Sequence, residues 1–182
     1  CGIMVRAGNS FLKDNNISYN GDGLVVQSVT RLESSLEGNV FYGNTGAGMA
    51  VLGDLEDMEP NVVVRIGGPD RAGNTFSANG KGIFVQNARA SIFHNTLEGN
   101  QTGVVVSQFG FVSLGSADMP GGNTIRNSTR VGLSNQTEHT VRAAGNTWNP
   151  SVQGADSQGR YSEGLVAGPI PPQDGNNYSI LS

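Results

Sequence analysis

The chain has a single cysteine, Cys1. No internal disulfide can therefore hold the fold, and pairing says nothing about the redox character of its compartment. Charge is scarce too: 14% of the 182 residues are charged and the net charge is −4. Lys and Arg form no cluster of the kind that displaces counterions from a polyphosphate, which excludes nucleic acid as a partner class. Apolar strings such as Val104-Val105-Val106 fall far short of the ~20 residues a helix needs to cross a bilayer, so no membrane span is expected. No ten-residue stretch has helical periodicity, and Gly, Asn and β-branched residues dominate, which argues against a helical solenoid.

In place of these features there are 27 glycines and a recurring asparagine. The pattern Asn-x-apolar-x-x-Asn occurs as Asn15/Ile17/Asn20, Asn39/Phe41/Asn44, Asn74/Phe76/Asn79 and Asn95/Leu97/Asn100, with degenerate copies at Asn123/Ile125/Ser128 and Asn146/Trp148. Successive first Asn residues lie 24, 35, 21, 28 and 23 positions apart, a unit in the low twenties carrying two insertions. After each second Asn come a Gly turn and a short apolar strand, such as Gly23-Leu24-Val25-Val26 or Gly82-Ile83-Phe84-Val85. A further strand precedes each motif, at Ser10/Leu12, Ser34/Leu36, Ala90/Ile92 and Val141/Ala143.

One such unit cannot bury its apolar face alone, whereas stacked units share a core and pair strand to strand at ~4.8 Å. The expected fold is all-β: a right-handed parallel β-helix of about six coils over residues 1–149, part of a longer solenoid, with an irregular cap over 150–182. Cys1 reads as the end of an upstream coil. Asn tolerates left-handed backbone angles and its amide both donates and accepts, so Asn15, Asn39, Asn74, Asn95, Asn123 and Asn146 are expected at corners as a hydrogen-bonded ladder. Trp148, Tyr161, Leu165, Val166 and Ile170 are expected to cover the last coil.

The centres of the first strands are Met4, Val25, Ala50, Phe84 and Val105, whose neighbours face the core. These five should align as an outward apolar stripe, covered by the tail, a neighbouring subunit or another domain; the competing reading is a local bulge that turns both sets inward. The insertions put Asp54, Glu56, Asp57 and Glu59 in one loop and Asp70 and Arg71 in another. The second loop and the Asp118 loop both end in Gly-Asn-Thr and are expected at the same corner. Asp54, Asp57 and Asp118 are candidate ligand contacts. The acidic run offers oxygens to calcium but lacks the alternating ligands and central Gly of a recognised calcium loop. It reads as a solvated turn; no metal or other cofactor is expected, with calcium as the alternative.

These coils resemble the right-handed β-helix repeats of the pectin-lyase-like superfamily over roughly residues 2–149. The stretches Gly121–Thr124, Ala144–Pro150 and Gln153–Asp156 are similar to a bacterial extracytoplasmic β-helix domain of unknown function. The resemblance implies an extracellular or cell-surface location and a polysaccharide ligand. Polygalacturonase-like members carry Asn-Thr-Asp, Asp-Asp and Gly-His-Gly, because glycoside hydrolysis takes paired carboxylates. Here Phe76, Leu97, Ile125 and Trp148 follow the Asn-Thr pairs, no Asp-Asp pair exists, and His94 and His139 sit in Phe-His-Asn and Glu-His-Thr.

A lyase-like site would use clustered acids and an arginine base; Arg65, Arg89 and Arg142 suit that role only with carboxylates on the same strand face. The weak catalytic candidates are Arg65, Asp70 and Arg71. The reading preferred is a non-catalytic surface module, a rigid scaffold or a face binding polysaccharide or another protein subunit. The alternatives are a polysaccharide lyase or hydrolase and a segment of a trimeric phage-type receptor fibre.

Overall fold

A computed structural model describes residues 1–6, 8–28, 32–54, 62–68, 70, 72–149 and 164–165; at 32, 33, 149, 164 and 165 it describes the backbone alone. Its regular elements are all strands, in three sheets. Sheet A runs in the order β1 (Ile3–Val5), β4 (Leu24–Gln27), β7 (Ala47–Leu52), β10 (Lys81–Gln86), β13 (Thr102–Ser107), β16 (Val131–Gln136) and β18 (Gly164–Leu165). Sheet B contains β2 (Ser10–Lys13), β5 (Leu32–Glu37), β8 (Val62–Ile66), β11 (Arg89–Ile92) and β14 (Phe111–Ser113). Sheet C contains β3 (Asn16–Ser18), β6 (Val40–Tyr42), β9 (Thr75–Ser77), β12 (Thr96–Glu98), β15 (Thr124–Arg126) and β17 (Thr147–Asn149).

Each strand pairs in parallel with its equivalent one coil away, except that β18 pairs antiparallel with β16. The chain therefore winds A to B to C repeatedly, making a parallel β-solenoid. From β1 to β16 there are about five full turns, not six, because the last pass has no complete sheet-B strand: only Arg142 bridges to Ser113. Of the residues expected to cap the stack, Tyr161, Val166 and Ile170 lie outside the described residues. Leu165 pairs with Ser134 on the edge of sheet A.

The core is one continuous column of inward rows. Ile17, Phe41, Phe76, Leu97, Ile125 and Trp148 follow one another in register on sheet C. Phe41 and Phe76 stack with centroids 4.7 Å apart and rings 3° from parallel. Burying each such side chain stabilises the fold by ~1.5–3 kcal/mol, but only because the coils on either side complete its surroundings.

Both corners flanking sheet C are held by amides. At the B-to-C corner Asn15, Asn39, Asn74, Asn95, Asn123 and Asn146 form an unbroken ladder, each Nδ2 donating to Oδ1 of the next at 2.7–3.2 Å. At the C-to-A corner Asn20, Asn44, Asn79 and Asn100 form a second ladder, which the sequence pattern contains but the expectation above omitted.

The expected corner geometry is corrected in one respect. The left-handed residue is not the ladder Asn but, at every rung except Asn74, the one before it: Asp14, Gly38, His94, Gly122 and Gly145 at one corner, and Tyr19, Gly43, Ala78 and Gly99 at the other, continued by Asn127 before Ser128. The Asn side chain must point along the stack to meet its neighbours, and the preceding residue absorbs the reversal of the chain.

A glycine column shows how closely the coils approach. A Cβ on Gly48 would lie 2.9 Å from the carbonyl oxygen of Gly82, and one on Gly82 would lie 2.5 Å from that of Gly103. Only Gly permits this spacing.

Candidate binding face

Sheet B presents one set of side chains outward because its alternate residues are buried. Val62, Val64 and Ile66 are fully buried in β8, as are Leu36 in β5 and Ile92 in β11, so the residues between them project to solvent. Register then lines them up. One row reads Phe11, Ser35, Arg65, Ser91, Ser113 and Arg142. The row beside it reads Glu33, Val63, Arg89 and Phe111.

Phe11 is 58% exposed at one end of the face, and Phe11, Ser35, Val63 and Arg65 line a hollow of about 380 Å³. Further along, the Arg89 guanidinium lies 4.9 Å from the centre of the Phe111 ring, and Phe111 stacks on His139 at 3.9 Å. His139 is held there by its turn: Asn135 Nδ2 donates to the His139 carbonyl (2.8 Å), and the His139 N–H donates to Thr137 Oγ1 (3.1 Å). The face thus combines fixed aromatic surfaces, hydroxyls and three arginines on a chain of net charge −4. Among the described residues, neither Arg65 nor Arg142 has an ion-pair partner.

The solenoid brings some of the expected site residues together and separates others. Arg65, Arg89 and Arg142 share the outer face of sheet B. Asp70 and Asp118 are exposed at the B-to-C corner, in the two loops expected to share a corner. Asp54 is half-buried at the A-to-B corner, at the other end of β8. Asp54 and Asp70 thus flank Arg65 from opposite ends of β8. Arg71 and Asp57 lie outside the described residues, and among the described residues no three His, Cys, Asp or Glu side chains cluster as a metal site would require. His94 sits at the B-to-C corner with a φ of 57°, its ring against Gly122.

A family profile described as "Protein of unknown function (DUF1565)" matches residues 1–153. The chain belongs to that family. No curated protein matches this DUF1565 chain. The matched span takes in all six ladder residues of the B-to-C corner and the whole outer face of sheet B.

The outward stripe of this DUF1565 solenoid is in register: Met4, Val25, Ala50, Phe84 and Val105, continued by Ser134. Met4 is 43% exposed, but Val25, Ala50 and Val105 are at most 5% exposed within the single chain. No bulge turns the row inward. Val25 and Ala50 form their own cluster with Ala47, packed by Leu52 and Phe84, separate from the main core. Their burial is already reached within the single chain. No described helix is long and apolar enough to span a membrane.

Proposed function

We propose that this chain is a non-catalytic, rigid solenoid module that binds an acidic polysaccharide along the outer face of sheet B, outside the cytoplasm or at a cell surface. The observation that carries this reading is the placement of Arg65, Arg89 and Arg142 on one outer face with Phe11, Phe111 and three registered serines. Guanidinium groups pair with carboxylates in bidentate geometry, aromatic faces stack on sugar rings, and serines donate to or accept from hydroxyls. A coil repeat of ~4.8 Å presents these groups at fixed intervals, which suits a polymer with periodic charge.

The test is a glycan array probed with and without calcium, with product analysis of every hit. Retention on uronate-rich polysaccharides without cleavage is expected, weakened at least tenfold by Arg65→Glu with Arg142→Glu. Products of cleavage would refute the non-catalytic reading, and absence of retention would refute the binding face.

A further inference from the structure

A second hollow, of about 610 Å³, lies on the outer face of sheet A over β10, β13 and β16. That volume falls in the range of small-ligand sites, ~300–1,000 Å³. Three registered rows build it. Lys81, Thr102 and Val131 form the first, with exposed Arg130 next to Val131, so two cations stand at one end. Phe84, Val105 and Ser134 form an apolar floor with a hydroxyl at its margin. Gln86, Ser107 and Gln136 form the far wall.

Two details point to an occupant. The Lys81 ammonium is held 5.0 Å from the centre of the Phe84 ring, which brings positive charge over the floor. Ser107 is 9% exposed and its buried Oγ has no hydrogen-bond partner, although it lines the hollow. Leaving such a group unmet costs ~1–3 kcal/mol, a cost removed when the Ser107 side chain turns its Oγ into the hollow to meet a ligand. Five residue steps separate the Lys81 and Gln86 rows, ~16 Å along the strand, so the shape suits an extended molecule better than a compact ion such as phosphate.

We propose that this hollow binds a small organic anion with an apolar body. Its charged end lies at Lys81 and Arg130, its body on Phe84 and Val105, and a hydrogen-bonding group reaches Ser107 Oγ. The site is separate from the polysaccharide face and does not depend on it.

The experiment is a fluorescence titration of the full chain with 8-anilinonaphthalene-1-sulfonate, which joins an anion to an apolar body. Saturable binding at one site per chain is expected, at least tenfold weaker for Lys81→Glu with Arg130→Glu and lost in Val105→Trp, which fills the floor. Arg65→Glu, on sheet B, should leave it unchanged, and 1-anilinonaphthalene, lacking the sulfonate, should bind at least tenfold more weakly. Thermal melts and circular dichroism of each variant separate lost binding from lost fold. Because Val105→Trp risks misfolding, the charge-reversal pair on exposed residues decides. Non-saturating fluorescence, or affinity indifferent to that pair, would overturn the proposal.

Discussion

Asn79 gives both its backbone N–H (2.9 Å) and its side-chain Nδ2 (3.0 Å) to a single oxygen, Oδ1 of Asn100 one coil further on. Asn100 Nδ2 in turn donates back to the Phe76 carbonyl at 2.9 Å. Both residues are at least 98% buried, so no water stands ready to replace a lost partner. Asn100→Ala should therefore cost more than an ordinary hydrogen bond: about 3 kcal/mol or more, since the Asn79 donors and the Phe76 carbonyl are stranded together. Urea unfolding measures it, and a loss below about 1 kcal/mol would mean the ladder contributes little.

The ladder stops at Asn100 because the next position is Ser128, whose shorter side chain leaves its Oγ buried without a partner. Ser128→Asn should extend the ladder by one rung and add about 1 kcal/mol of stability. A fall in melting temperature would show that the corner around Asn127 does not admit the longer amide.

Ala78 holds a φ of 55° at an exposed corner, in a position where other coils use Gly43 and Gly99. Left-handed backbone costs a non-glycine residue ~1–2 kcal/mol, and part of that returns as unfolded-chain entropy when glycine replaces it. Ala78→Gly should raise stability by about 0.5 kcal/mol, readable as an upward shift of the thermal midpoint.

Tyr19 and Tyr42 meet edge to face with centroids 5.4 Å apart on the outside of the solenoid. A hydrogen bond with Tyr42, followed by slight desolvation and repulsion between the two phenolates, raises the Tyr19 pKa above its ordinary value. A phenol whose pKa is raised on folding contributes stability below its unfolded pKa and loses it as pH climbs through the folded value. The effect is confined to alkaline solution. Tyr42→Phe should lower the Tyr19 titration midpoint toward the ordinary value by ultraviolet difference titration; an unchanged midpoint would contradict the pairing.

The exposed ion pair between Arg126 and Glu98, at 2.7 Å, is expected to matter little. Both side chains are more than a third exposed, and pairs of that kind contribute ~0.2–1 kcal/mol. Glu98→Gln should leave the urea midpoint within error, and more so in high salt.

The coils, the first ladder and the apolar row of sheet C were legible because each rests on one residue type recurring at one place in every coil. Identical neighbours stack on one another, and that repetition is written in the chain. The backbone reversal was misplaced for the opposite reason. Asp14, Tyr19, Ala78 and His94 share no side-chain chemistry, only a position before the ladder, so composition does not mark them. The outer faces depend on register across insertions of unequal length. Arg65, Arg89 and Arg142 stand at unrelated offsets from their Asn motifs, and the pairings of β8, β11 and β14 alone show that they share a surface. The cations of the sheet-A hollow were missed likewise, since Lys81 opens one strand and Arg130 precedes another, two coils apart.

The amide ladders also give the solenoid a direction. Each side-chain link runs the same way, from Nδ2 of one Asn to Oδ1 of the Asn one coil later, while from Asn39 and Asn44 onward Nδ2 also donates back to a carbonyl of the coil before. Aligned amides polarise one another, so each added rung strengthens those before it. A rung reversed inside either ladder would set oxygen against oxygen or N–H against N–H, so the described coils can stack in one sense only.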